Sequence, residues 1–114
     1  MTVEAILEPF VRRKLFISQE EAARKLVRNY VLQQIDTHKQ RIAEFERKHG
    51  MSFDQFTRYT SERTARLRDP GDTPKEKLQI LSQDIMRDEE DWLDWKVAEE
   101  MLESWLGLES EPAR

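Results

Sequence analysis

In a chain without cysteine, metal or acid-base chemistry falls first to the histidines, and this one has two, His38 and His49. They lie 11 residues apart in what reads as one helix, about 16 Å along its axis. One chain cannot bring both to a single metal ion, and neither has a His, Cys or Asp neighbour at metal-ligand spacing. They read instead as satisfied interface histidines, with a mild acid-sensitive association as the alternative. The acidic run Asp88 to Asp91 lacks the glycine turn of a calcium loop, and successive carboxylates on a helix point in different directions. Three isolated glycines make no phosphate loop. One class of helical ribonuclease sets an Arg shortly ahead of a catalytic His. Here Val31, Leu32 and Gln33 stand at that distance before His38, and Ile42, Ala43 and Glu44 before His49. The sequence therefore predicts no enzyme, no metal and no cofactor.

What remains is the chemistry of recognition. Asp88, Glu89, Glu90 and Asp91 are followed by Trp92, Asp94 and Trp95, and Trp105 comes one further stretch along. Trp is enriched at binding hot spots, and a block of acids speeds encounter with a basic protein. These eight residues are the expected partner-binding set, with burial of all three Trp in the protein's own core as the competing reading. At 100° per residue, Trp92 and Trp95 stay near a stripe of Leu78, Leu81 and Ile85, while Leu93, Val97, Met101 and Trp105 drift to another side. Such a helix either bends at Asp88 to Asp91 or is sandwiched between its own fold and something else. A second candidate surface is basic: Arg12, Arg13, Lys14, Arg24, Lys25 and Arg28 could face nucleic acid. The ordinary role of Arg12 to Lys14 is to offset a helix dipole. Charge is divided along the chain, with 14 Lys and Arg against 9 Asp and Glu up to Arg68, and 5 against 14 after it. Either the two halves meet, within or between subunits, or each has an oppositely charged partner of its own.

These residues must be carried by helices. Of 114 residues, 37% are charged, only three are Gly and four are Pro, and no Val, Ile or Thr alternation suggests a strand. The longest element is predicted over about 18–49, opened by Ser18 and Glu21 as a capping box and closed by Gly50, with Arg47, Lys48 and His49 in its last turn. At roughly 1.5 Å per residue it is a rod of about 48 Å, against a radius of gyration of about 13 Å for a compact domain of this size. Val31, Ile35, His38, Ile42 and Phe45 follow one another at four- and three-residue spacing, the seam of a coiled coil. That seam is predicted to pair with a second chain or with the C-terminal helix, making the native unit a homo-oligomer, most simply a dimer. A short amphipathic helix from Thr2 to about Leu15 precedes it. A third helix, capped by Ser52 and Gln55, is expected to be short or frayed because Thr57, Thr60, Ser61 and Thr64 lower its propensity. After the turn Asp69 to Asp72, Thr73 is expected to cap a last helix, with Pro74 in its first position and Glu76 completing the box. It runs to Leu106 with Gly107 as its stop.

The prediction is thus an all-α helical bundle: a single domain over 1–108 and a disordered tail over 109–114. With no apolar run of membrane length, no leader and no Cys, it reads as soluble and cytoplasmic.

Two segments carry a family resemblance: EFERKHGMSFDQF, from Glu44 to Phe56, and DEEDWLDW, from Asp88 to Trp95. Together they resemble small all-helical prokaryotic antitoxin components, the TumA-like partners encoded beside TumE-type toxins. Those relatives often carry Tyr-Gly-Met-Ser-Phe where this chain has His49-Gly50-Met51-Ser52-Phe53, followed by an acidic, Trp-containing helix. The resemblance implies a cognate toxin as partner, a basic protein covered by the acidic Trp helix. Ile17 to Ile35 is similar to the second helix of ribbon-helix-helix repressors, which implies DNA binding as the alternative function. Such repressors read DNA through a strand ahead of that helix, and Met1 to Val3 is short for one. A purely structural homo-oligomer is the third reading.

Overall fold

The computed structural model describes residues 1–111, and they form four helices with no strand among them: α1 (Val3–Arg12), α2 (Gln19–His49), α3 (Phe53–Arg68) and α4 (Lys75–Ser110). The fold is all-α, as the composition requires.

Local chemistry sets most boundaries. In α1 the Thr2 hydroxyl accepts from the Ala5 amide at 3.1 Å. The helix ends at Arg12, short of Leu15, because Lys14 enters the left-handed region at φ 60°. At the start of α2, Ser18 accepts from the Glu21 amide at 3.1 Å, and Glu21 reaches back to the Ile17 amide at 2.8 Å. Gly50 ends α2 at φ 64°, the conformation that favours glycine. Ser52 and Gln55 form the full reciprocal box of α3.

Two elements run beyond expectation. α3 is regular for 16 residues to Arg68 despite its threonines, since Phe56 and Arg63 bury against α4 and tertiary contact outweighs propensity. α4 extends for 36 residues, about 54 Å, unbroken across Asp88 to Asp91. Pro74 is its cap residue and no side chain caps it. It passes through Gly107 to Ser110, so Glu109 and Ser110, assigned above to a disordered tail, are helical. Residues 112–114 of that tail lie outside the described residues.

α4 is a spine along which α2 and α3 lie in succession, both antiparallel to it. Tyr30 meets Trp105, Phe45 meets Trp95, and Lys48 meets Asp91 along the C-terminal stretch of α4. Past Gly50 the direction continues, with Thr57 at Trp92 and Arg63 at Asp88. Gly50 is therefore a jog and not a reversal. The result is a rod 74 × 26 × 24 Å with a radius of gyration of 22.7 Å. α1 folds onto the start of α2 through Leu7 and the fully buried Ala22.

The principal core sits at the jog: Ile42, Phe45, Phe56, Trp95 and Ala98, rimmed by Met51, Phe53, Trp92 and Leu102. Of the two partners expected for the α2 seam, a second chain or the C-terminal helix, the structure shows the C-terminal helix. Val31, Ile35, Ile42 and Phe45 are buried within one chain, and His38 is half-buried. The physical reason is the length of α4. The helix runs unbroken past the jog, so that its stretch from Asp91 to Leu108 lies along α2 from His49 back to Val31.

Candidate protein-docking surface

Most of the expected partner-binding residues are used inside the chain. Trp95 is completely buried, with Phe45, Phe53 and Phe56 centred 5.4 to 5.5 Å from its ring. Trp92 is partly buried and its indole N–H donates to the Thr57 hydroxyl at 3.0 Å. Trp105 meets Tyr30 edge-on at 5.8 Å. Trp95 is therefore core and Trp92 core rim, the competing reading of the sequence, and Trp95 is not free to anchor a partner. Three helices converge at the jog, where the aromatic rings pack with Ile42, Ala98 and Leu102.

The acidic run divides by direction, as a helix demands. Asp88 turns inward to accept from the buried Arg63 guanidinium at 3.0 Å. Asp91 turns inward to Lys48 at 2.7 Å and His49 at 2.8 Å. Burial pushes the Asp91 carboxyl up, but hydrogen bonds from Lys48 and His49, together with their charges, more than reverse this and hold it below the usual aspartate range. Glu89, Glu90 and Asp94 remain exposed, Asp94 with a long contact of 3.8 Å to Arg41. Each of these cross-helix pairs joins the basic first part of the chain to the acidic second part. The charge division is thus satisfied, at least in part, within one subunit.

His38 and His49 stay apart. His49 lies over Phe56 at 4.3 Å, at the C-terminal end of α2. The buried Nε2 of His38 has no hydrogen-bond partner among the described residues. No group of three His, Asp or Glu comes together to hold a metal ion among those residues. Of the six basic residues of the alternative surface, three pair with acids of their own helices. Arg12 faces Glu8 at 3.5 Å, Arg24 faces Glu20 at 2.6 Å, and Lys25 faces Glu21 at 2.8 Å, each on its own helix. Arg13, Lys14 and Arg28 are exposed.

Large apolar side chains stay exposed on two surfaces, one around α1 and the start of α2, with Val3, Ile6, Leu15, Ile17 and Val27, and the other on the far side of α4. Met86 is 70% exposed, Leu93 50% and Val97 55%, and Met101 and Leu108 are exposed with them. At 100° per residue these five fall in a sector of about 80°, roughly 130° away from Trp95, Ala98 and Leu102. A helix in a two-helix layer ordinarily gives that side to water. Beside the stripe, the α3 residues Thr57, Thr60, Ser61 and Thr64 and the α4 residues Ile85 and Trp92 line an open groove of about 510 Å³. The second face predicted from the sequence holds Leu93, Val97 and Met101 together with Trp105, which instead packs on Tyr30, and it omits Met86 and Leu108. The signal was the spacing of Met86, Leu93, Val97 and Leu108, by seven, four and eleven residues, all steps that return to one face of a helix.

No family model matches this chain, and no curated protein or solved structure matches it either. No helix of the described residues is long and apolar enough to cross a membrane.

Proposed function

We propose that this chain is a non-enzymatic, helical protein-interaction module that docks another protein on the outer stripe of α4. The role we assign it is the one its resemblance implies, the antitoxin-like component of a prokaryotic toxin–antitoxin pair. One observation carries the reading. A chain that completely buries Trp95 and Phe56 in its own core nevertheless leaves Met86, Leu93 and Val97 at least half exposed along one side of its longest helix. An apolar face of this kind, interrupted by Glu90 and Ser104, has the character of an interaction site. Catalysis is not part of the proposal, because the carboxylates Asp88 and Asp91 that lie against other helices are engaged with Arg63, Lys48 and His49.

The test is co-expression with the product of the neighbouring gene. The tagged chain is expected to co-purify with it, and Leu93→Asp with Val97→Asp is expected to lose the complex while still melting cooperatively. A double variant that kept the complex would overturn the proposal. In a parallel titration across salt we expect no binding to duplex DNA even at low ionic strength, where counterion release favours it most.

A further inference from the structure

Given that docking face, the charges around it specify what can lie there. With the stripe of Met86, Leu93 and Val97 as centre, Asp94 falls along one edge and Glu89 and Glu100 along the other, while Glu90 sits within the stripe at the angle of Leu108, all four acids exposed. Of the basic side chains nearby, Arg68 lines the adjoining groove and makes no ion pair among the described residues, while Arg87 and Lys96 are occupied. Arg87 is held by Asp84 at 2.8 Å. Lys96 lies 5.4 Å from the Trp92 ring and 3.9 Å from Glu100. The surface is thus an apolar line, broken by Glu90, between two acidic borders.

From this we infer that the occupant of the outer α4 face is a basic amphipathic helix of another protein, with Leu- or Met-type residues along its contact line and Lys or Arg on both flanks. The inference rests on the docking face proposed above and adds the chemistry of the partner. The pattern has the geometry of a coiled-coil interface, in which a central apolar line supplies affinity and the flanking charges choose the partner. It also argues against a second copy of α4. Whether two such helices ran parallel or antiparallel, acidic borders would face acidic borders, and like charges at those positions repel. The groove between Thr60, Thr64 and Ile85 adjoins the same side of α4. Small hydroxyl side chains there let a third helix approach closely, which extends the site toward the N-terminal half of α4.

The experiment uses two synthetic 21-residue peptides with one Leu heptad line, one flanked by Lys and Arg, its twin flanked by Glu. Each is titrated into the full chain and into the Val97→Asp variant. Light scattering on the protein alone and thermal melts of the variant accompany the titrations. A second variant, Met101→Asp, guards against loss of fold at position 97. We expect the basic peptide to bind at least about tenfold more tightly than its twin, the sum of several modest flank pairs. The advantage should shrink as salt rises, and both variants should abolish binding. Equal binding of the twins, lost in the variants, would overturn the basic partner while leaving the docking face standing. A dimer dissociated by Val97→Asp would overturn it in favour of a second copy. Failure of both peptides to bind a monomeric chain would overturn the partner and the docking face together.

Discussion

Neighbouring acids on α4 have opposite consequences because a helix turns 100° between them. Asp88 neutralises an Arg63 side chain that is only 6% exposed. Asp88→Ala therefore leaves a buried cation with only the Thr60 hydroxyl and the Tyr59 ring beside it and should cost about 3 kcal/mol. Glu89→Ala, one residue on and exposed, should stay within about 0.5 kcal/mol. Urea unfolding of the two variants checks both. Trp95→Ala should cost about 3 to 5 kcal/mol, since its aromatic neighbours cannot collapse into the space it vacates. Asp91 gives the fold an acid limit. Its carboxyl is held below its unfolded pKa, so the stability it contributes is fully present above the unfolded value of about 4 and is lost as pH falls through the folded one. Stability of the native chain should therefore fall more steeply below about pH 4 than that of Asp91→Asn, and parallel pH curves would remove this account of the Asp91 site.

At the scale of elements, boundaries were readable where a side chain makes them. Ser18, Gly50, Ser52 and Gln55 each do in the structure what their chemistry predicts. Gly50 and Gly107 show where such reading fails. Both look like stops, but only Gly50 takes a left-handed conformation; Gly107 sits within α4. Gly50→Ala should cost about 1 kcal/mol, whereas Gly107→Ala, with open space around the added carbon, should stabilise α4 by about 0.5 to 1 kcal/mol. Thermal melts of the pair decide it. The α2 seam was legible as a seam, because Val31, Ile35, Ile42 and Phe45 keep heptad spacing. Its partner was not, because spacing says that a helix must lie there and is silent on whose. That was settled by the unbroken length of α4, which a sequence containing Asp88 to Asp91 and Gly107 does not announce.

At the scale of the whole molecule, one geometric fact governs the rest. α2 and α3 follow each other along a single spine, so each stretch of α4 is covered on one side only, and the molecule is 74 Å long but only 26 Å wide. The division of charge between the two parts of the chain suits that arrangement, since Arg41, Lys48, His49 and Arg63 all find their acids on α4. Trp92, Trp95 and Trp105 drew attention as interface residues for a sound reason, their size. Size serves a core as well as an interface, and a helix wheel alone does not say which side is covered first. The outer stripe was half-visible in Leu93, Val97 and Met101. Because the chain contains no Cys, a single Val97→Cys can carry an environment-sensitive fluorophore on the outer face of α4, with Asp36→Cys on α2 as reference. Adding the neighbouring gene's product should shift the emission of the Val97 label to the blue and leave the Asp36 label unchanged. Binding of that protein with a silent label at Val97 would contradict the assignment of this face.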